Sequence, residues 1–144
     1  MNIKIFYDKV KFRLKGWRKI RNLIEDIISK EKKISGDICI ILTDDISVRQ
    51  INIDFLKHNY YTDVISFSSN IGKTVNGEVY ISIDRVRINS INYNVSFKNE
   101  LTRVIIHGIL HLCGYDDSGL NEKGKMTEME EDWLAVFYGR KEDV

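Results

Sequence analysis

Several features are missing or scarce in this sequence of 144 residues, and each absence excludes a class of protein. The chain has no uncharged apolar run of about 18 residues, which argues against a membrane-spanning helix. Residues 1–20 also lack the apolar segment of a signal peptide, so we expect a protein that is not exported. Proline is absent altogether, which we attribute to biased base composition.

Cysteine and excess charge are scarce as well. The two cysteines, Cys39 and Cys113, are too few for a disulfide framework, so we expect free thiols in a reducing compartment, the cytoplasm. The 22 Lys+Arg and 21 Asp+Glu residues give a net charge of +1, which neither demands nor excludes a nucleic-acid partner. Hydrophobic residues make up 43% of the chain, which excludes a disordered protein. The length predicts a single domain spanning residues 1–144.

The spacing of apolar residues predicts the element order β-α-β-α-β-β-α-α-α. Strands are predicted where apolar residues alternate or run continuously, at residues 2–6, 37–43, 62–68 and 78–83, with Gly36 breaking the chain before the second. Helices are predicted at residues 17–28, 46–56, 85–94, 96–113 and 119–138. The last two strands would form a hairpin whose loop contains Gly72 and Asn76-Gly77. We therefore predict an α+β (α/β layered) fold, with a mixed sheet of about four strands covered by five or so helices.

The predicted fourth helix contains the most informative motif. His107 and His111 are four residues apart, so both imidazoles project from one face with Cβ atoms roughly 6 Å apart, close enough to bind one metal ion. Gly114 follows where helices commonly end in a left-handed residue, which would let the chain fold back and bring a third ligand from residues 115–117. Three protein ligands leave a position for water, which is typical of catalytic zinc sites. The metal site would lie at the end of a central helix.

Other interpretations of the histidine pair remain open. Two histidines with this spacing also occur on exposed helix faces, or in cores where each imidazole satisfies a hydrogen bond. The apolar residues on both sides favour the metal site, because a buried polar group without a partner costs free energy. A zincin-type peptidase is disfavoured, since Gly108 follows the first histidine where those enzymes have a glutamate as general base.

Residues 107–117, H-G-I-L-H-L-C-G-Y-D-D, resemble the motif H-G-x-L-H-x-x-G-Y-D-H of the YbeY family of bacterial metallo-endoribonucleases. The resemblance covers most of the chain, since further family segments are similar to residues 51–56, 62–67, 77–82 and 129–133. It implies a metal-dependent endoribonuclease that cuts single-stranded ribosomal RNA in 16S rRNA maturation and ribosome quality control. The implied partner is the small ribosomal subunit or its proteins, and no membrane is implied.

The sequence departs from the family pattern at two positions. Asp117 stands in place of the third histidine, so the resemblance implies the metal ligands His107, His111 and Asp117. A carboxylate is an accepted zinc ligand, so we expect one Zn²⁺ per chain, with Mn or Fe as alternatives because the carboxylate is a harder ligand. Leu56 stands where the family has an arginine, and Lys57 beside it would supply the charge without the forked geometry.

Basic residues are concentrated near the N-terminus, whereas residues 128–132 are rich in acid. The basic segment has no acid between its members, Lys9, Lys11, Arg13, Lys15, Arg18, Lys19 and Arg21. It is predicted to bind RNA phosphates, and the candidate substrate-binding residues are Lys15, Arg18, Lys19 and Lys57. The alternative is a solvated face without a ligand. Trp17 fits the apolar stripe of its helix and is predicted to be core rather than a base-stacking residue.

No residue stands out as the general base. Asp116, Asp63 and Lys57 are the candidate catalytic residues beside water activated by the ion, although both aspartates suit turn capping equally well. His58 is predicted to lie on the surface and Cys113 to be a small core residue, because Cys113 points away from the histidine face.

Two functions from other classes compete with the nuclease. One is a non-catalytic, ribosome-associated RNA- or protein-binding factor with a structural metal. The presence of Leu56 in place of the family's arginine favours this function. The other is a non-haem iron oxygenase, which is disfavoured because both histidines lie on one helix followed by a tight turn. We therefore expect a metal-dependent hydrolase of RNA.

Overall fold

The computed structural model of the protein describes residues 2–139, and these residues form four strands and five helices. The elements are β1 (Asn2–Tyr7), α1 (Trp17–Lys30), β2 (Ile34–Thr43), α2 (Asp45–Leu56), β3 (Val64–Ser68), β4 (Thr74–Ser82), α3 (Ile83–Asn92), α4 (Phe97–Leu112) and α5 (Leu120–Gly139). The predicted order and the α+β class are confirmed. Across residues 2–139, no helix combines the length and apolarity that crossing a membrane requires.

The strands form one mixed sheet in the order β1-β2-β4-β3. β1 runs parallel to β2 and β2 parallel to β4, whereas β3 pairs antiparallel with β4 as the predicted hairpin. Burial alternates along the inner strands, so one face of the sheet supplies a row of core residues, among them Ile38, Ile40, Leu42, Val79 and Ile81.

The second strand is longer than the sequence predicts. β2 begins at Ile34, and Gly36 lies inside the strand instead of breaking the chain before it. The pairing with β4 shifts register between Ser35 and Ile38, and this irregularity accommodates the glycine. A Cβ at Gly36 would lie 2.2 Å from the side-chain oxygen of Asn76, so a larger residue would displace that side chain.

The fourth strand also begins earlier than predicted, at Thr74, so Asn76 and Gly77 belong to β4 and not to the hairpin loop. Contacts between strands explain the difference. The side-chain oxygen of Asn76 accepts a hydrogen bond from the backbone N–H of Asp37, which ties β4 to β2. A Cβ on Gly77 would lie 2.3 Å from the carbonyl oxygen of Phe67, so glycine permits the close approach of β3.

The α4 helix is the centre of the fold. It packs on β3 and β4 and is flanked by α1, α3 and α5. Ser96 caps its N-terminus by accepting a hydrogen bond from the backbone N–H of Asn99. Most of the surface of α4 is apolar and buried, and its buried apolar residues are Leu101, Val104, Ile105, Ile106, Ile109, Leu110 and Leu112. A polar side chain on this helix is therefore held in a nearly fixed position.

Candidate metal centre and active site

One stripe of α4 is polar although most of the helix is buried. Glu100, Arg103, His107 and His111 follow one another at intervals of three or four residues, which aligns them along one side of the helix. The two imidazole rings are 4.6 Å apart between centroids, and their Nε2 atoms are 3.0 Å apart. The spacing seen in the sequence thus brings two nitrogen ligands to one point.

The chain reverses directly after α4 through a Schellman turn. The backbone N–H of Gly114 donates to the carbonyl of His111, and that of Tyr115 donates to the carbonyl of Leu110. Gly114 has a φ of 107°, which favours glycine because a Cβ is strained in that region. The turn brings the chain back across the helix end, so that Asp117 lies beside both histidines.

The two aspartates after the turn have different surroundings. Asp117 places Oδ2 3.3 Å from Nε2 of His107 and Oδ1 3.6 Å from Nε2 of His111. The Asp116 carboxylate is exposed and accepts hydrogen bonds from the Ser118 hydroxyl and from the backbone N–H groups of Ser118 and Asp117. These bonds, the one from the Ser118 side chain first, hold the pKa of Asp116 below its usual range. Asp116 is therefore engaged in the turn itself.

Four atoms meet here with spacings that suit a metal ion. Nε2 of His107 lies 3.0 Å from Nε2 of His111 and 3.3 Å from Oδ2 of Asp117, and Oδ1 of Asp117 lies 3.6 Å from Nε2 of His111. A tetrahedral zinc ion with bonds of about 2.0–2.1 Å holds its ligand atoms about 3.3 Å apart, within the range of these three distances. Two imidazoles and one carboxylate are also a donor set that divalent transition metals accept. The residues present therefore fit a metal ion.

Glu130 of α5 contacts His107 from the other side of its ring. The Glu130 side chain is buried, and its Oε2 lies 2.5 Å from Nδ1 of the imidazole. Burial raises the pKa of this carboxyl, but the hydrogen bond with His107 and the charge of Arg103 outweigh burial and keep it below its usual value. An ionised Glu130 accepts a hydrogen bond from Nδ1–H, which leaves the lone pair of Nε2 directed at Asp117 and a metal ion.

Arg103 links the carboxylates around the site. Its guanidinium lies 2.7 Å from Glu100, 2.9 Å from Glu130 and 3.5 Å from Asp63. Burial lowers the pKa of Arg103, but the hydrogen bonds and charges of Glu100 and Glu130 outweigh burial and raise it well above its usual value. A permanently charged Arg103 compensates the buried acids and joins α4 to α5 and to the segment before β3.

The predicted candidate Asp63 lies in the same network. Its Oδ2 accepts hydrogen bonds from Asn89 and, at 3.5 Å, from Arg103. Burial raises the pKa of Asp63, and the positive charge of Arg103 offsets this only in part. A carboxylate with a raised pKa beside the histidines is suited to accepting a proton.

The histidines face a polar cavity of about 460 Å³. Four parts of the chain form its walls: the segment before β3, the polar stripe of α4, the turn after α4, and the first turns of α5. The lining residues are Tyr60, Thr62, Asp63, Val64, Arg103, His107, His111, Asp117, Ser118 and Lys123. The three candidate ligands therefore have open volume in front of them for a substrate and water.

A second cavity of about 280 Å³ adjoins the first at His111. The two cavities share a wall formed by Tyr60, Thr62, Val64 and His111. Asn52, buried in α2, fixes this wall by donating a hydrogen bond from its amide to the carbonyl of Tyr60. Leu56 and Leu112 supply apolar surface on the far side. Leu56, the first departure from the family pattern along the chain, thus lies close to the site and contributes no charge there.

The predicted substrate-binding residues are not brought together with the histidines. Lys15 and Arg18 are exposed, and Lys57 is exposed at the C-cap of α2. The ammonium group of Lys19 lies 4.3 Å from the ring centroid of Phe137. None of these four residues lines the cavity at the histidines, and their contact with RNA stays a prediction.

Three other expectations from the sequence agree with the structure. Cys113 is buried, and burial raises the pKa of its thiol to about 11. His58 is exposed and stacks on Tyr60 at 5.3 Å. Trp17 is half-buried and packs against the core.

Sequence reasoning missed Glu130, Arg103 and Lys123. A signal for Arg103 was present, since polar residues at 100 and 103 are in phase with the histidines on an otherwise apolar helix. Glu130 stood in an acidic cluster where no feature of the sequence separates it from Glu131. Only the packing of α5 on α4 buries one carboxylate and leaves the next exposed.

Comparison with known proteins gives a consistent result. A family described as Endoribonuclease YbeY matches residues 3–138. The chain is 42% identical over 133 residues to the Endoribonuclease YbeY of Christiangramia forsetii, covering 92% of this chain and 93% of the relative. It is 44% identical over 124 residues to that of Chloroherpeton thalassium, covering 86% and 88%. The fold is similar to the solution structure of a Thermotoga maritima protein, with a TM-score of 0.64 and 29% identity over 96% of this chain and 90% of that one. The chain belongs to the YbeY family.

Proposed function

We propose that this chain is a metal-dependent endoribonuclease that hydrolyses phosphodiester bonds of single-stranded ribosomal RNA. The observation that carries the proposal is the convergence of His107, His111 and Asp117 at an open polar cavity, with the spacing of ligands around one ion. Membership of a family named for endoribonuclease activity supports the reaction class.

In this proposal His107, His111 and Asp117 hold one Zn²⁺ per chain. The distances between the ligand atoms support tetrahedral coordination, and Glu130 supports a His107 tautomer that binds through Nε2. Manganese and iron are the alternatives, since a carboxylate ligand favours harder ions more than a third imidazole would. An ion in this position supplies Lewis-acid polarisation of a phosphate oxygen and a water of lowered pKa.

Asp63 is the proposed proton acceptor. It lines the same cavity as the histidines, and burial raises its pKa, which improves a carboxylate as a base near neutral pH. Asp116 is less suitable, because its oxygens accept three hydrogen bonds within the turn and its pKa is lowered. Lys57 is exposed and does not line the cavity.

The proposed biological substrate is the RNA of the small ribosomal subunit, during 16S rRNA maturation and ribosome quality control in the cytoplasm. The adjoining cavities on the two sides of His111 support a substrate longer than one nucleotide. Four basic residues away from the site are proposed to bind more distant phosphates, namely the exposed Lys15, Arg18 and Lys57 and the half-buried Lys19.

A non-catalytic RNA-binding factor is the second candidate. It is favoured by Leu56, whose apolar side chain lines the cavity next to the site where a cation would assist catalysis. The two candidates differ in turnover, because a binding factor holds RNA and metal without cleaving the phosphodiester bond.

The test combines elemental analysis with a metal-titrated cleavage assay on single-stranded and duplex RNA of the same sequence. We expect one bound metal per chain and metal-dependent cleavage of the single strand. Asp117→Ala should lose metal and cleavage, Asp117→His should retain metal with a stronger preference for zinc, and the control Asp116→Ala should keep both. If Asp117→Ala keeps its metal while Asp116→Ala loses it, the ligand assignment is wrong. RNA binding without cleavage in Zn²⁺, Mn²⁺ or Fe²⁺ would favour the binding factor.

A further inference from the structure

The cavity at the histidines contains charges of both signs, and their balance determines how a phosphodiester can enter. Its carboxylates are Asp63 and Asp117, and its cationic side chains are Arg103 and Lys123. In the proposed function the metal ion offsets the charge of Asp117 and serves the phosphate that is cleaved. A neighbouring phosphate of the same strand still meets carboxylates here, so it needs a positive group that the protein has not already paired.

Arg103 is not such a group. Its guanidinium contacts three carboxylates, those of Glu100, Glu130 and Asp63, and two of them are almost completely buried. Moving Arg103 towards a phosphate would leave buried carboxylates without their counter-charge, which costs several kcal/mol in proteins. Arg103 therefore stabilises the site and is unavailable to the substrate.

Lys123 has the opposite properties. Its side chain is exposed, it lines the cavity beside Asp117 and Ser118, and it has no ion-pair partner within residues 2–139. Its backbone is fixed in α5, where the N–H donates to the carbonyl of Gly119 and the carbonyl accepts from the hydroxyl of Thr127. An ammonium group on a rigid backbone is thus free to meet an anion at the cavity mouth.

Within residues 2–139, the wall formed by the segment before β3 and the start of β3 offers no equivalent cation. Leu56 lines the neighbouring cavity with an apolar side chain, and Lys57 is exposed at the end of α2, in a left-handed conformation, outside the lining of both cavities. Phosphate binding close to the histidines therefore depends on the α5 side.

We propose that Lys123 binds a phosphate of the RNA strand next to the bond that is cleaved. The proposal rests on the endoribonuclease function proposed above and adds a substrate-binding residue to it. Lys123 would act through its charge, so arginine at this position should retain phosphate binding and alanine should not. Within residues 2–139 it forms no ion pair with Asp117, whose ion-pair partners are the two histidines, so metal binding should be independent of it.

The test compares Lys123→Ala with Lys125→Ala. Lys125 is also an exposed lysine of α5, but it lies two residues further on, about 200° around the helix, with its ammonium group 5.5 Å from the ring centroid of Tyr115. The metal-loaded proteins are titrated with a fluorescent single-stranded oligoribonucleotide at several salt concentrations, and anisotropy is recorded before cleavage becomes measurable. Metal content and the cleavage rate are determined on the same preparations.

We expect Lys123→Ala to bind RNA more weakly, with a plot of log K against log [salt] that is shallower by about 0.7, the value for one lost phosphate contact on a single strand. Lys123→Arg should restore the wild-type slope, and Lys125→Ala should retain it, with metal content the same in all proteins. A wild-type slope in Lys123→Ala, or an equal loss in Lys125→Ala, would overturn the assignment while leaving the nuclease function intact. A wild-type protein that holds metal but neither binds nor cleaves RNA would refute the nuclease function as well.

Discussion

Replacing Glu130 by glutamine should weaken metal binding, although Glu130 touches no metal in the proposed centre. Its carboxylate has two acceptor oxygens, and one contacts Nδ1 of His107 while the other accepts from Arg103. A glutamine has only one oxygen and presents an NH₂ group to the second partner. If the NH₂ faces Nδ1, the proton of His107 moves to Nε2 and blocks the ligand position. If it faces Arg103, two donors oppose each other.

The size of the effect follows from these contacts. Groups that orient a metal-bound imidazole typically contribute 10- to 100-fold to metal affinity, which corresponds to about 1.4–2.7 kcal/mol. With metal in excess over its dissociation constant, the same free energy is lost from the stabilisation that the metal gives to the fold. For a chain of this size the rise in Tm on adding metal should then be smaller by roughly 4–10 °C.

The control for this change is Glu131→Gln. Glu131 is the next residue of α5 and is exposed, so its substitution removes the same charge without touching Arg103 or His107. Competition with a chromophoric chelator gives the dissociation constant of each protein, and melting curves with and without metal give the second measurement. Equal metal affinities for Glu130→Gln and Glu131→Gln would refute the role of Glu130. A lower Tm of Glu130→Gln without metal, by itself, would reflect only the partner lost by Arg103.

Three further predictions concern other parts of the molecule. Replacing Lys15, Arg18 and Lys19 by glutamate should flatten the salt dependence of RNA binding and leave the metal content unchanged. An unchanged slope of log K against log [salt] would show that the basic segment is only a solvated face. Asp63→Asn should remove the part of the pH–rate profile in which activity rises with pH, because the ionised form of Asp63 is the proposed base and burial raises its pKa. If that rise is retained, Asp63 is not the base. The buried Cys113 thiol, with a pKa of about 11, should be alkylated more slowly than Cys39. Because the unfolded chain ionises this thiol at lower pH than the folded protein does, the free energy of unfolding should fall as pH rises from about 9 to 11.

Much of the fold follows from local sequence patterns. The amphipathic stripe of α1 and the apolar faces of α4 are periodic, so both helices could be predicted to within a few residues. The starts of β2 and β4 could not, because both depend on contacts between strands that are distant in sequence. The hydrogen bond from Asp37 to Asn76 and the close approach of Phe67 to Gly77 turn an apparent loop into paired strands.

The residues of the candidate site likewise differ in whether local sequence or long-range packing determines their position. Positions within one helix are fixed by the 3.6-residue repeat, so His107 and His111 could be paired from their spacing alone. The turn after α4 is also local, because Gly114 permits the left-handed conformation that closes it. The identity of the third ligand needs the exact path of residues 115–117, and the spacing of histidines does not contain it; the family resemblance pointed to Asp117 where spacing alone left a choice.

Glu130 and Lys123 are beyond the reach of local patterns for a further reason. Both lie on α5, and their roles depend on which side of that helix packs against α4. The same packing buries Met126 and Phe137, which are eleven residues apart and therefore lie on nearly the same side of α5. Once these apolar residues face the core, the helical repeat turns Glu130 towards Arg103 and His107 and leaves Lys123 at the cavity mouth. Core packing therefore determines which of the many charges on α5 belong to the site.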